Sequence, residues 1–303
     1  MADAPAIETL ALSKTYPGGV RALSGLDLRV EHGEVFGFLG PNGAGKSTTI
    51  RLLLDMIRPT EGQALVLGLD SRRDGVAARR RIGYLPGDLR LYDRLTGGEQ
   101  LASLARLRGS VDPGLRDALV ERFGVVLDRP IRELSKGNRQ KLGLVQAFMH
   151  RPELLVLDEP TGGLDPLLQH EFRLLVRETA ATGSTVFLSS HSLDEVQQTA
   201  DRVGIIRGGR LVDVDAVASL RERALRHVTV ILAAPVDPEP FSALPGVRVQ
   251  HVDGTVLRLA APEPAMDGVV KLAAQHGIVD FLSEPADLEE IFLDLYREAD
   301  HGS

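Results

Sequence analysis

Residues 134–165 read Leu134-Ser135-Lys136-Gly137-Asn138-Arg139-Gln140, then KLGLVQAFMHRPE, then Leu154-Leu155-Val156-Leu157-Asp158-Glu159-Pro160, then Thr161-Gly162-Gly163-Leu164-Asp165. Four apolar residues running into two acids read as a strand buried on both faces, which is how a parallel strand of an α/β sheet is written. Such a strand carries Asp158 and Glu159 to its carboxyl-terminal edge, where open α/β sheets place their ligands. Upstream, Ser135 can cap the helical run that follows, and Gly137 lets backbone approach a ligand closely.

Working outward, Gly40-Pro41-Asn42-Gly43-Ala44-Gly45-Lys46-Ser47-Thr48 matches G-x-x-x-x-G-K-[ST]. The compact apolar run Val35–Leu39 reads as a strand before it, and Ser47–Ile57 reads as a helix after it. Glycines turn backbone N–H groups toward one point, and the helix N-terminus presents its dipole to the same anion. Lys46 is then the neutraliser of the β/γ-phosphates of ATP and Ser47 the hydroxyl for Mg²⁺. Asp158 is the second candidate for Mg²⁺, and Glu159 is the candidate base that takes a proton from the attacking water. Alone, a Gly-rich turn or a solvated Asp-Glu pair is the plainer reading of each motif. Together, with strand and helix in order, they describe a nucleotide triphosphate site.

The run from Leu134 to Asp165 resembles the signature, Walker B and D-loop of the ABC transporter ATPases. The family's signature is LSGGQ followed by a basic helix, and this chain has Lys136 in place of a glycine and Asn138 in place of the glutamine. The resemblance implies an α/β P-loop ATPase domain with a RecA-like core, an antiparallel β subdomain and a helical subdomain at about 90–150. It implies that Ser135 and Gly137 reach the γ-phosphate of ATP held by a second copy, with Asp165 in the loop that crosses between copies. His191, after the strand TVFLSS, resembles the switch histidine at the γ-phosphate. Lys46, Glu159 and His191 are thus the candidate catalytic side chains. Tyr16 stands where the family stacks an aromatic ring on adenine, a core tyrosine being the alternative. One position departs: Gly87, in the run Ile82-Gly83-Tyr84-Leu85-Pro86-Gly87-Asp88, stands where the family has the Q-loop glutamine, and Asp88 is the candidate substitute.

The rest of the chain reads around this site. Residues 7–35 alternate in short apolar runs about a Pro17-Gly18-Gly19 turn, as antiparallel strands do, and 63–68 reads as another strand. Thr96 with Glu99, and Ser192 with Glu195, form capping boxes. Val203–Val214 reads as a hairpin turning on Gly208-Gly209. Arg72, Arg73, Arg79, Arg80 and Arg81 read as a solvated basic face. A boundary near Arg223 separates the ATPase domain, 1–222, from a small α+β domain, 223–303. In that domain strands are expected at 228–233, 247–252, 255–259 and 278–282, with helices near 266–276 and through Leu288, Ile291, Phe292, Leu295 and Tyr296, which share one helical face.

Bulk properties narrow the function classes. The 303 residues include no cysteine, which excludes disulfides and thiolate metal sites. The start MADAPAIETL has neither the basic residues nor the apolar core of a signal peptide, and no apolar run approaches the roughly 18 residues of a membrane helix. The net charge is −7, and residues 227–303 carry four basic residues against 13 acidic ones, so no nucleic-acid partner is expected. The tail, with its D-L-E-E-I-F-L-D-L end, resembles that of the ATPase subunits of daunorubicin-resistance-type (ABC-2 type) drug and antibiotic exporters. That implies a head-to-tail homodimer on two copies of a separate transmembrane permease subunit, at the cytoplasmic face of the membrane. An importer ATPase with a regulatory tail, a non-transport clamp and a nucleotide sensor stay open as alternatives.

Overall fold

The structure, a computed structural model, describes residues 4–109, 111–223 and 225–284. It divides into two compact units, Met1–Val214 and a second beginning at Asp215. The division by contacts thus precedes the composition boundary after residue 222.

In the first unit the elements follow as β1 (Ile7–Thr15), β2 (Arg21–Val30), β3 (Val35–Leu39), α1 (Lys46–Leu53), β4 (Glu61–Val66), β5 (Leu69–Asp70), α2 (Gly75–Arg80) and β6 (Ile82–Leu85). Three helices come next, α3 (Gly97–Arg108), α4 (Pro113–Phe123) and α5 (Lys136–Phe148). The unit continues with β7 (Leu154–Asp158), α6 (Pro166–Ala181), β8 (Thr185–Ser190), α7 (Leu193–Thr199) and β9 (Arg202–Arg207), and β10 (Arg210–Ala216) runs into the second unit. One sheet has the order β2-β1-β4-β5 and is antiparallel; the other has six strands in the order β10-β9-β3-β8-β7-β6. Within it, β9, β3, β8, β7 and β6 run parallel.

Every residue of β3, β7 and β8 is buried, the apolar runs VFGFL, LLVL and VFL being those of strands covered on both faces and Thr185, Ser189, Ser190 and Asp158 being the polar residues buried at their ends. Phe36 and Phe38 pack on Phe187 with ring centroids 5.9 and 5.4 Å apart, fastening β3 to β8 in the core. Truncating Phe187 there would cost about 3–5 kcal/mol. Register decides where function goes: Leu39 pairs with Ser190, Asp158 with Ser189 and Leu85 with Leu157. The chain segments starting at Gly40, Glu159, His191 and Pro86 therefore leave the sheet at the same edge.

Local differences from the sequence reading have physical causes. The helix expected to reach Ile57 ends at Leu53, because Asp55 takes a left-handed φ of 55° and the Met56 N–H turns back to the Arg51 carbonyl at 2.8 Å. The basic cluster holds a short helix, α2, that was not expected. Thr96 and Glu99 form the full capping box, whereas at Ser192 only half forms. There the Glu195 carboxylate accepts from the Ser190 hydroxyl instead.

The second unit contains α8 (Val217–Arg223), β11 (Leu225–Leu232), α9 (Glu239–Ser242), β12 (Arg248–Asp253), β13 (Val256–Pro262), α10 (Met266–Gln275) and β14 (Ile278–Ser283). Its antiparallel sheet has the order β12-β13-β11-β14. Alternate residues Val228, Val230 and Leu232 of β11 and Leu257, Leu259 and Ala261 of β13 meet Val269 and Ala273 of α10, one helical turn apart. The helical face expected from Leu288 to Tyr296 lies outside the described residues.

Candidate functional site

A cavity of about 530 Å³ opens at the shared carboxyl edge of the six-stranded sheet. This lies in the size range of small-ligand sites. Pro41, Asn42, Gly43, Gly45, Lys46, Ser47 and Thr48 form one side, and Asp158, Glu159 and His191 the other. Two further residues of the loop act from behind: the Gly40 carbonyl accepts from Lys46 Nζ at 2.6 Å, and Ala44 is buried. Gly45 starts α1 at φ 115°, where a Cβ would meet the Ala22 carbonyl at 2.8 Å. Only glycine permits both that conformation and that approach.

Lys46 is 6% exposed, and a buried ammonium needs partners. It donates to Gly40 O and, at 3.3 Å, to Pro41 O, and its Nζ lies 3.4 Å from Glu159 Oε1. The other Glu159 oxygen accepts from His191 Nδ1 at 2.6 Å. Glu159 itself holds a left-handed φ of 50°, which costs a side chain of its kind about 1–3 kcal/mol. Its N–H, directed to Ser189 O and Oγ at 3.1 and 3.3 Å, keeps it there. The carboxylate is thereby aimed away from the strand and into the cavity between Lys46 and His191.

Asp158 is also 6% exposed and accepts the Ser189 hydroxyl on Oδ1. Its Oδ2 faces the backbone of Gly87, where a Cβ would stand 3.3 Å away. Ser47 and Asp158 thus bring two oxygen donors to one cavity. Among the described residues no group of three or more His, Cys, Asp or Glu could hold a metal. The Tyr84 phenol is pushed up to about 12 by burial and by the nearby Asp158 charge.

Several candidates lie elsewhere. Ser135 is exposed and caps α5 by accepting from Asn138 N at 3.2 Å. A Cβ on Gly137 would lie 3.1 Å from Gly163 O, so signature and D-loop touch within the chain. Asp165 caps α6, accepting from Leu168 N at 3.0 Å. Tyr16 brings its hydroxyl within 3.4 Å of Thr48 Oγ1, with Lys14 Nζ 5.4 Å from its ring centre. None of Tyr16, Ser135, Gly137 and Asp165 belongs to the cavity wall, whereas Gly87 and Asp88 do. Asp88 is paired with Arg90 at 2.9 Å on the surface.

Sequence reasoning missed Ser189, which braces Asp158, and Gln140, whose amide reaches Pro160 O at 2.7 Å and so fastens α5 to the turn after Glu159. It also missed Arg51 as part of the cavity wall, whereas Lys136, read from the signature run as a charge near the phosphate, stands in that wall. The two serines ending TVFLSS, polar residues closing an apolar strand, were the available signal.

Residues 23–162 match the family described as ABC transporter. The chain is 36% identical over 304 residues to the daunorubicin/doxorubicin resistance ATP-binding protein DrrA of Streptomyces peucetius, covering 96% of this chain and 92% of that protein. It is 38% identical over 225 residues to the bacitracin transport ATP-binding protein BcrA of Bacillus licheniformis, covering 73% of each. Among solved structures, an ATP-binding subunit of an ABC transporter superposes with a TM-score of 0.66 at 30% identity, over 72% of this chain and 92% of that one.

Proposed function

The chain belongs to the ABC transporter ATPases and hydrolyses ATP, and from that premise we propose that it powers a membrane exporter of a drug, antibiotic or lipid-like cargo. The observation that carries the proposal is the extent of likeness. Alignment with the daunorubicin/doxorubicin resistance protein spans 96% of the chain, the acidic second unit included, and is not confined to the nucleotide loops.

In this reading the loop Gly40–Thr48 holds the phosphates of ATP, Lys46 neutralises them, and Tyr16 carries the adenine. Glu159 takes the proton from the attacking water, and His191, bonded to it, holds it in aim and faces the γ-phosphate. Ser47 and Asp158 would hold Mg²⁺, which supplies charge neutralisation at the phosphates. A site with one carboxylate and one hydroxyl fits a cation that takes its remaining ligands from phosphate and water. Ser135, Gly137 and Asp165 serve the nucleotide of a second copy, in a head-to-tail homodimer with two sites related by a two-fold axis.

The permease is a separate subunit. Among the described residues no helix is long and apolar enough to cross a membrane. The chain works at the cytoplasmic face through that partner, with residues 1–222 as the ATPase domain and 223–303 as an accessory domain. The test is ATP turnover of the purified chain alone and in complex with a polytopic membrane subunit reconstituted in lipid. Turnover should rise in the complex and rise again with cargo. Turnover indifferent to any membrane subunit would overturn the proposal.

A further inference from the structure

The loop carrying His191 hangs on side-chain bonds that the hydrolysis chemistry does not itself use. β8 ends at Ser190, His191 follows, and Ser192 caps α7. Glu195, the third residue of that helix, would in a complete capping box turn back to the Ser192 N–H. Instead Glu195 Oε2 accepts the Ser190 hydroxyl, and Ser190 Oγ accepts the Ser192 N–H at 2.9 Å. The Ser192 hydroxyl in turn accepts from Glu195 N at 3.4 Å. One carboxyl therefore ties down the residues on both sides of His191.

The other Glu195 oxygen is sealed from solvent with no well-aligned donor, and the hydroxyl of Thr161, in the turn that follows Glu159, lies beside the carboxyl. Burial pushes the Glu195 carboxyl above its ordinary range, against the Ser190 and Thr161 hydroxyls, while the Glu159 charge adds to the rise and His191 opposes it. A helix cap has no need of such a placement: an acid confined near a second acid costs free energy that a neutral cap avoids.

We propose that Glu195 is a positioning residue for ATP hydrolysis. Held to Ser190 on one side and beside Thr161 on the other, it fixes the loop of His191 against the loop of Glu159. It thereby keeps His191 Nδ1 at its 2.6 Å contact with Glu159 Oε2. This inference rests on Glu159 and His191 carrying the chemistry, as proposed above.

The test uses the full chain with ATP. Glu195→Ala should lower kcat about 10- to 100-fold, the scale of a small misplacement at a reacting centre, with KM for ATP within about twofold. Glu195→Gln, whose amide oxygen still accepts from Ser190, should recover all but about threefold of that loss. Ser190→Ala should also lower kcat, and the double variant should lose less than the product of the two single losses, because both remove the Ser190–Glu195 bond. A loss confined to kcat, with KM for ATP unchanged and recovery in Glu195→Gln, is what a merely structural role would not produce. Wild-type turnover in Glu195→Ala or in Ser190→Ala, while Glu159→Gln is inactive, overturns the proposal, and so do losses that multiply in the double variant. If Glu195→Ala does not fold, Ser190→Ala decides alone. Unchanged turnover in Glu159→Gln would instead overturn the base assignment, and this inference with it.

Discussion

The two ends of the stretch from Leu134 to Asp165 are built on opposite plans. At Asp158-Glu159 the carboxylates are braced from several elements: Ser189 holds Asp158, while Lys46 and His191 flank Glu159 from loops distant in sequence. Ser135 and Asp165, by contrast, are exposed, and each side chain accepts from the N–H of its own helix start, Asn138 and Leu168. A braced, buried group is preorganised for a ligand delivered to its own cavity. An exposed cap leaves helix N–H groups and a dipole facing outward, available to an anion that this chain does not hold. The comparison supports reading the chain as one complete half-site and one offered half-site.

The largest test breaks the braced end. Glu159→Gln keeps the size of the side chain but removes its basicity, and turnover should fall about 10²–10⁴-fold. ATP binding should survive, so the variant should accumulate as an ATP-bound dimer, seen by gel filtration with and without nucleotide. Turnover equal to wild type would reject Glu159 as the base.

The next test sets one end against the other. In a mixed dimer of Lys46→Ala with Ser135→Asp, the shared-site reading puts both lesions in one site and leaves the second intact. Roughly half of wild-type turnover should remain. In a dimer of wild type with the double variant Lys46→Ala/Ser135→Asp, both sites are damaged and turnover should be lost. If each copy hydrolyses with its own signature, the two results exchange places, and turnover of tagged, purified heterodimers distinguishes them.

The same contrast explains what the sequence could tell. The braced end was legible because its residue types are unusual for their positions: two acids after LLVL, and a lysine in a glycine loop. Strand register, not motif, brings them together, and the pairs Leu39–Ser190 and Asp158–Ser189 have no local signature. Ser189 and Gln140 went unread for that reason, their roles existing only once β8 and α5 lie beside β7. In the second unit the strands expected at 228–233, 247–252, 255–259 and 278–282 stand at Leu225–Leu232, Arg248–Asp253, Val256–Pro262 and Ile278–Ser283, whereas the short helices α8 and α9 went unread. The early end of α1 was hidden because Asp55 adopts a backbone conformation that its helix-compatible sequence does not announce.

A smaller effect probes the buried end of the helix whose exposed start is Ser135. Past the end of α5, His150 Nε2 donates to the Ile82 carbonyl at 3.2 Å, which Arg108 Nη2 also reaches at 3.1 Å. Burial, with the Arg108 charge second, pushes the His150 imidazole down to about 4. The folded state therefore resists protonation that the unfolded chain accepts near its ordinary value. In that window the unfolded state binds more protons, so stability is full above about pH 6.5 and is lost as pH falls toward 4. With allowance for partial exposure the loss is about 2 kcal/mol. Denaturant titrations across this range should show it in the wild type and a shallower slope in His150→Gln. Equal slopes would mean that His150 is not buried as a neutral ring.

The smallest effect separates the two duties of Ser135. As an N-cap, its oxygen accepts from Asn138 N, so Ser135→Ala should destabilise the monomer by about 1 kcal/mol, read from denaturant midpoints. Aspartate is as good an N-cap as serine, so Ser135→Asp should regain that stability. Its carboxylate, however, would meet the phosphates of another copy's ATP. The two variants should therefore rank in opposite orders, alanine worse in stability and aspartate worse in dimer turnover. If they rank in the same order in both measurements, Ser135 is only a cap, and the exposed end of the stretch offers nothing to a second copy.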